Sequence, residues 1–155
     1  VAEVSRRSTN GLLVGGLLAM VTGAGPGCGP SRITASRIES AVAQTFANLV
    51  HVQGERMDLP PVDASSLHPS ATCHKVGAGR DGDGGGNWVC SITWLAPGRR
   101  TPLRETYDLS VTMDGCYTAT ADAAETHVGG PTLTTQHGTT IVNPLYAFDG
   151  CFDTS

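Results

Sequence analysis

From Ile33 onward, apolar residues recur at steps of three and four: Ile38, Ala41, Val42, Phe46, Leu49 and Val50, with Thr45 on the same stripe. Arg37, Glu39, Ser40, Gln44 and Asn48 fall elsewhere, so the pattern predicts one amphipathic helix of about five turns. Ser36 with Glu39 three residues later forms a capping box at its start, and Gly54 marks its end. The apolar stripe is a core-packing face. Leu59 to Ser70, interrupted by Pro60, Pro61 and Pro69, reads as an irregular connector.

The period then drops to two. In NWVCSITWL, Trp88, Cys90, Ile92 and Trp94 share one face of a strand, and Val89, Ser91, Thr93 and Leu95 share the other. After the turn APGRRTP, RETYDLSVTM places Tyr107, Leu109, Val111 and Met113 in alternation with polar residues, the mark of a half-buried antiparallel strand. A two-residue turn at Asp114-Gly115 would waste Tyr117 and Ala119 on solvent. A loop of Met113, Asp114 and a left-handed Gly115 instead pairs Val111 with Tyr117 and Leu109 with Ala119. A last hairpin, TLTTQHGTTIVNPL, turns near His137-Gly138, and Pro144 makes its second arm an edge or ends it. The expected fold class is α+β: one N-terminal amphipathic helix packed on an antiparallel meander sheet of four to five strands.

The stretch before the helix has another character. Arg6 and Arg7 precede an apolar run from Gly11 to Ala24, which reads as a targeting segment over residues 1–28, leaving a single domain over 31–155. The run is shorter than the roughly 20 residues a spanning helix needs. Cys28 follows Gly27 where lipoprotein signals place their acylated cysteine, although Gly25 and Pro26 depart from the usual residues before it. The arginine pair is also similar to a twin-arginine signal, so the export route stays open. These features predict an extracytoplasmic protein, lipid-anchored or secreted.

Export changes how the remaining cysteines read, because thiols oxidise outside the cytosol. Only 5% of residues are aromatic, and much of the 39% hydrophobic content is alanine and Gly-flanked leucine, so the core is thin and gains from covalent staples. Cys73, Cys90, Cys116 and Cys151 allow three connectivities. Cys73 and Cys90 bracket the glycine-rich stretch HKVGAGRDGDGGGNWV, and Cys116 begins a strand while Cys151 lies in the aromatic segment NPLYAFDGCFDTS. The expected pairs are Cys73 with Cys90 and Cys116 with Cys151, the second clasping the last segment onto the sheet. A net charge of -4, from 10 basic and 14 acidic residues, supplies no basic field for nucleic acid.

YDLSVTMDGCYTATAD, GGPTL and NPLYAFDGCFD together resemble a group of small exported, cysteine-containing proteins of actinobacteria, over the stretch from about Cys73 to the last residue. The resemblance implies an envelope or secreted location and carries no catalytic residue. Helix followed by meander is also similar to cystatin-like and nuclear-transport-factor-like folds, a likeness of fold alone.

Chemistry must then come from the residues themselves. GAGRDGDGGGN starts like a calcium loop at Asp81-Gly82-Asp83, but the fifth position is Gly85 and the twelfth is Ile92 where a bidentate glutamate belongs. His51, His68, His74, His127 and His137 are scattered without ligand spacing, and no paired C-x-x-C exists, so neither metal nor cofactor is expected. There is no G-x-S-x-G elbow and no P-loop. The expected function is non-enzymatic: an envelope protein binding another protein or envelope component through the open sheet face or its edge. Arg80, Asp81, Asp83 and Asn87, in the loop between the first two cysteines, are the candidate contact residues, because recognition concentrates on loops held by a rigid scaffold. The alternative is a small-ligand pocket enclosed by the helix and a curved sheet, lined by Trp88, Trp94 and Tyr107 or by their opposite face.

Overall fold

A computed structural model describes residues 33–77, 82–122 and 126–154. The targeting segment 1–28 with Cys28, and Arg80 and Asp81 of the glycine-rich loop, lie outside the described residues.

The helix α1 spans Ala35–Arg56, 22 residues, and both its ends differ from expectation. Thr34, not Ser36, is the N-cap: its backbone is extended and its hydroxyl accepts the Arg37 N–H at 3.4 Å. Ser36 already sits inside the first turn, where its side chain cannot cap. At the other end the chain passes Gly54 and reverses at Asp58, whose φ is 55°. Leu59 N–H donates to the Gly54 carbonyl at 2.9 Å and Asp58 N–H to that of Glu55 at 3.2 Å. This paired reversal satisfies carbonyls that the helix end would otherwise orphan.

Among the described residues seven strands follow: β1 Ser70–Lys75, β2 Gly86–Trp94, β3 Leu103–Val111, β4 Cys116–Ala121, β5 Thr132–Thr134, β6 Thr140–Val142 and β7 Ala147–Cys151. Five form one antiparallel sheet in the order β1-β2-β3-β4-β7, and β5 and β6 form a separate two-stranded ribbon. The stretch TLTTQHGTTIVNPL is therefore an excursion between β4 and β7, and the aromatic segment itself completes the sheet. Within the connector, Ala64–Leu67 makes a 3-10 turn that buries Leu67.

Register at the β3–β4 turn follows the expected bulged loop, with Val111 opposite Tyr117 and Leu109 opposite Ala119. Gly115 has φ of 84°, and a Cβ there would come within 2.7 Å of the Phe152 carbonyl, so backbone and space both demand glycine. Met113 is 79% exposed. The strand ends at Val111, and the turn carries Met113 off the buried face on which alternation places it.

One face of the sheet holds Trp88, Cys90, Ile92, Trp94, Tyr107, Leu109, Val111, Tyr117, Ala119 and Phe148, all buried against Ile38, Val42, Phe46 and Ala47 of α1. Phe46 lies between Trp94 and Tyr107 at ring distances of 4.8 and 6.2 Å, and Tyr107 meets Phe148 at 5.2 Å. A small set of aromatics thus concentrates the burial that a thin apolar composition would otherwise spread. Asn143 is also buried and ties the excursion down. It donates to the carbonyls of Val128 and Gly130, both at 2.8 Å, and accepts from Leu145 N–H and from Gln53 of α1.

Cys73 is bonded to Cys90 and Cys116 to Cys151. Each pair is directly opposed across neighbouring strands, with Cα atoms 4.1 and 3.9 Å apart. Both occupy non-hydrogen-bonded positions of the ladder, where antiparallel strands approach most closely. Each also fastens an outermost strand to its inner neighbour. Together they point to an oxidising, extracytoplasmic environment.

Candidate functional site

The two edges of the five-stranded sheet are finished differently. In β1, Val76 N–H bonds to the Asn87 carbonyl of β2, so alternation turns the main-chain groups of Ala71, Cys73 and Lys75 outward. The outward Cys73 N–H is taken by Glu39, whose Oε1 accepts it at 2.8 Å. Helix α1 packs against this edge strand and supplies the acceptor at Cys73.

The β7 edge has no such cover among the described residues. Ala121 N–H donates to the Tyr146 carbonyl at 2.8 Å and Phe152 N–H to that of Gly115 at 3.1 Å. Phe148 and Gly150 lie between them in the same phase, opposite Ala119 and Tyr117, so Ala147, Asp149 and Cys151 turn their N–H and C=O groups away from β4. All three are exposed. Alongside runs a groove of about 570 Å³ between Cys151, Phe152 and Asp153 on one side and the polar face of α1 on the other. Arg37, Ser40, Gln44 and Asn48 furnish that helical wall.

Two contacts link α1 to the strands beside the groove. Arg37 Nη1 donates to the Asp153 carbonyl at 2.9 Å, and the Tyr117 hydroxyl donates to Thr45 Oγ1 at 2.9 Å. Tyr117 passes so close under β7 that a Cβ on Gly150 would lie 2.6 Å from its hydroxyl oxygen. Burial raises the Tyr117 phenol above its ordinary pKa of 10.0; the bond to Thr45 opposes that shift and the charge of Asp149 adds to it. The phenol therefore stays a donor at physiological pH.

The expected contact residues separate. Asp83 belongs to an anchored segment: Lys75 Nζ donates to its carbonyl at 2.7 Å, and the next residue, Gly84, donates to Ile33 at 2.8 Å and accepts from the Trp88 indole at 3.2 Å. Asn87 stands at the start of β2 on the solvent face, opposite Ser110. There it borders a shallow depression of about 410 Å³ with Val76, Asp108, Ser110, Thr118 and Thr120. Trp88 and Tyr107 are packed into the core, Trp88 also bordering the depression beside Asn87, and Trp94 borders a separate cavity.

The histidines do not converge. His51 bonds the Val62 carbonyl through Nδ1 at 3.1 Å, and His137 lies beside Asp58. His74 adjoins a cysteine already committed to a disulfide, which leaves it no thiol to activate. Among the described residues no three of His, Cys, Asp and Glu gather as a metal-binding group, and no helix is long and apolar enough to cross a membrane.

The β7 edge carries no motif. A signal did exist in its composition: alternation of small or charged residues with aromatics in Ala147-Phe148-Asp149-Gly150 is that of a strand with one buried face. No protein-family model, curated protein or solved structure matches this chain.

Proposed function

We propose that this chain is a non-enzymatic binding domain of the cell envelope that takes up an extended segment of a partner protein along β7. The reading rests on the unequal treatment of the two edges, one capped at Cys73 by Glu39 and the other left open among the described residues beside a preformed groove. An outward row of alternating donors and acceptors is complementary to an extended backbone, and strand addition to such an edge is a general mode of peptide recognition. The disulfides support an extracytoplasmic site of action. The targeting-like segment 1–28, the lipoprotein-like Cys28 and the resemblance to exported actinobacterial proteins support a tethered or secreted form.

Charge selects among partners. Pairing β7 with the same strand of a second copy in the fully overlapping two-fold register sets Asp149 directly opposite Asp149, an unfavourable like-charge contact. A foreign strand with lysine or arginine opposite Asp149 has no such penalty. The test is a photo-crosslinking residue placed at Ala147 in the full chain in its native envelope. A discrete adduct that disappears with Asp149→Lys supports edge binding. An adduct from position 87 but none from position 147 transfers the site to the solvent face of the sheet and overturns the proposal.

A further inference from the structure

A second cavity lies at the opposite end of α1, remote from the β7 groove. Its volume is about 220 Å³, and Val62, Trp94, Leu103 and Leu145 supply an apolar wall, with exposed Leu59 and His127 at its mouth. Two neighbouring residues of the last helical turn, Gln53 and Gly54, complete it.

Gly54 is the reason space exists there. It is a buried residue of a regular helix, where glycine costs about 0.5 to 1 kcal/mol relative to alanine. Nothing in the tertiary packing requires so small a residue, because a Cβ built on it would meet no atom within 4 Å outside its own helical backbone. Any larger side chain at position 54 would enter the cavity.

Gln53 gives the cavity a polar handle of defined sense. Asn143 Nδ2 faces the carbonyls of Val128 and Gly130, so this end of the amide must be the donor and its Oδ1 the acceptor. Oδ1 already accepts from Leu145 N–H at 3.0 Å, and it accepts from Gln53 Nε2 at 2.8 Å. Fixing the Gln53 amino group on Asn143 leaves Gln53 Oε1 as the other end, and that oxygen makes no hydrogen bond among the described residues. An apolar cavity with this amide in its wall suits a ligand that is mainly hydrocarbon and carries one donor.

We infer that this cavity is a binding site for a small, neutral, largely apolar ring compound bearing a single N–H or O–H group, which donates to Gln53 Oε1. A cavity of about 150 Å³ holds benzene, so the volume here fits a ring system somewhat larger than that. The inference is independent of the β7 reading, because the two sites share no residue.

Indole and indene serve as probes, since they match in shape and differ in the N–H. Titration of the full chain, followed by ligand-observed NMR, should show saturable indole binding, with indene at least about fivefold weaker. Gly54→Leu should weaken indole at least about tenfold while the far-ultraviolet spectrum and melting profile stay native. Gln53→Met should abolish the preference for indole over indene. If Gly54→Leu does not fold, Ala96→Leu, which narrows another wall, makes the same test. Failure of indole to saturate up to about 2 mM, corresponding to binding weaker than about 4 kcal/mol, overturns the inference. So does unchanged affinity in a folded cavity-filling variant, or a preference that survives Gln53→Met.

Discussion

Glu39, on the second turn of α1, accepts the main-chain N–H of Cys73 on β1, 34 residues away in sequence, at 2.8 Å. A side chain that helix grammar assigns to a capping box instead closes a sheet edge. Glu39→Ala leaves that partly buried N–H without its acceptor and should cost about 1 to 3 kcal/mol. Glu39→Gln keeps a carbonyl oxygen in place and should recover at least half of the loss. Urea unfolding of the three proteins, with disulfides intact, measures both differences.

Asp58 holds a left-handed conformation where the helix reverses, and a side chain there carries a conformational cost that glycine escapes. Asp58→Gly should therefore stabilise the fold by about 0.5 to 1 kcal/mol, even though glycine loosens the unfolded chain. A rise of a few degrees in melting temperature is the expected reading. An unchanged or lowered value would mean that the neighbouring His137 gives Asp58 a compensating role.

The Tyr107 hydroxyl is buried and donates to the Leu145 carbonyl at 2.7 Å. Burial, reinforced by the charge of Glu105, pushes this phenol well above its ordinary pKa of 10.0. With the folded value raised, its contribution to stability is fully present below about pH 10 and is lost as pH rises from there toward the folded value. Stability should decline above pH 10 by up to about 1.4 kcal/mol per pH unit for this group. Tyr107→Phe should be less stable at pH 7 by about 1 to 2 kcal/mol, because the carbonyl loses its donor, yet should decline less steeply above pH 10. Denaturant midpoints at pH 7, 9.5 and 10.5 separate the two effects.

The disulfides should open in order. Cys73 and Cys90 are both buried, whereas Cys151 is exposed and its bond to Cys116 lies on the face carrying Thr118 and Asp149. Thiolate attack requires access to sulfur. Limited reduction of the native protein, quenched by alkylation and mapped by mass, should label Cys116 and Cys151 first. With closed loops of 17 and 35 residues, the bonds should contribute about 3 and 4 kcal/mol respectively.

Much of the architecture was legible wherever one periodicity governed a long run. Alternation from Trp88 to Trp94 and from Tyr107 to Val111 identified two strands and their buried faces, and the wasted positions of the shorter turn fixed the bulge at Gly115. Cysteine pairing followed from the same adjacency. β1 escaped because, as an edge strand, it buries little besides Cys73 and so lacks an alternating apolar signature. The Thr34 cap escaped because Ser36 and Glu39 mimic the local motif, and only tertiary placement shows Glu39 to be needed elsewhere. Asn143 was invisible for a related reason: its partners Gln53, Val128 and Gly130 come from separate parts of the chain. The candidate site suffered most, since an open edge is a property of what fails to lie beside a strand.

The placement of the two disulfides has a mechanical consequence. A strand at the margin of a sheet is the first to peel when a tethered chain is pulled, because its ladder bonds break one after another. Here each marginal strand is riveted to its neighbour by a covalent bond. The residues between Cys73 and Cys90 and between Cys116 and Cys151 cannot be drawn out under tension, which at about 3.5 Å per residue withholds about 180 Å of extension. Under shear in an oxidising environment, the bonds would thus set how far the molecule can stretch before it lets go.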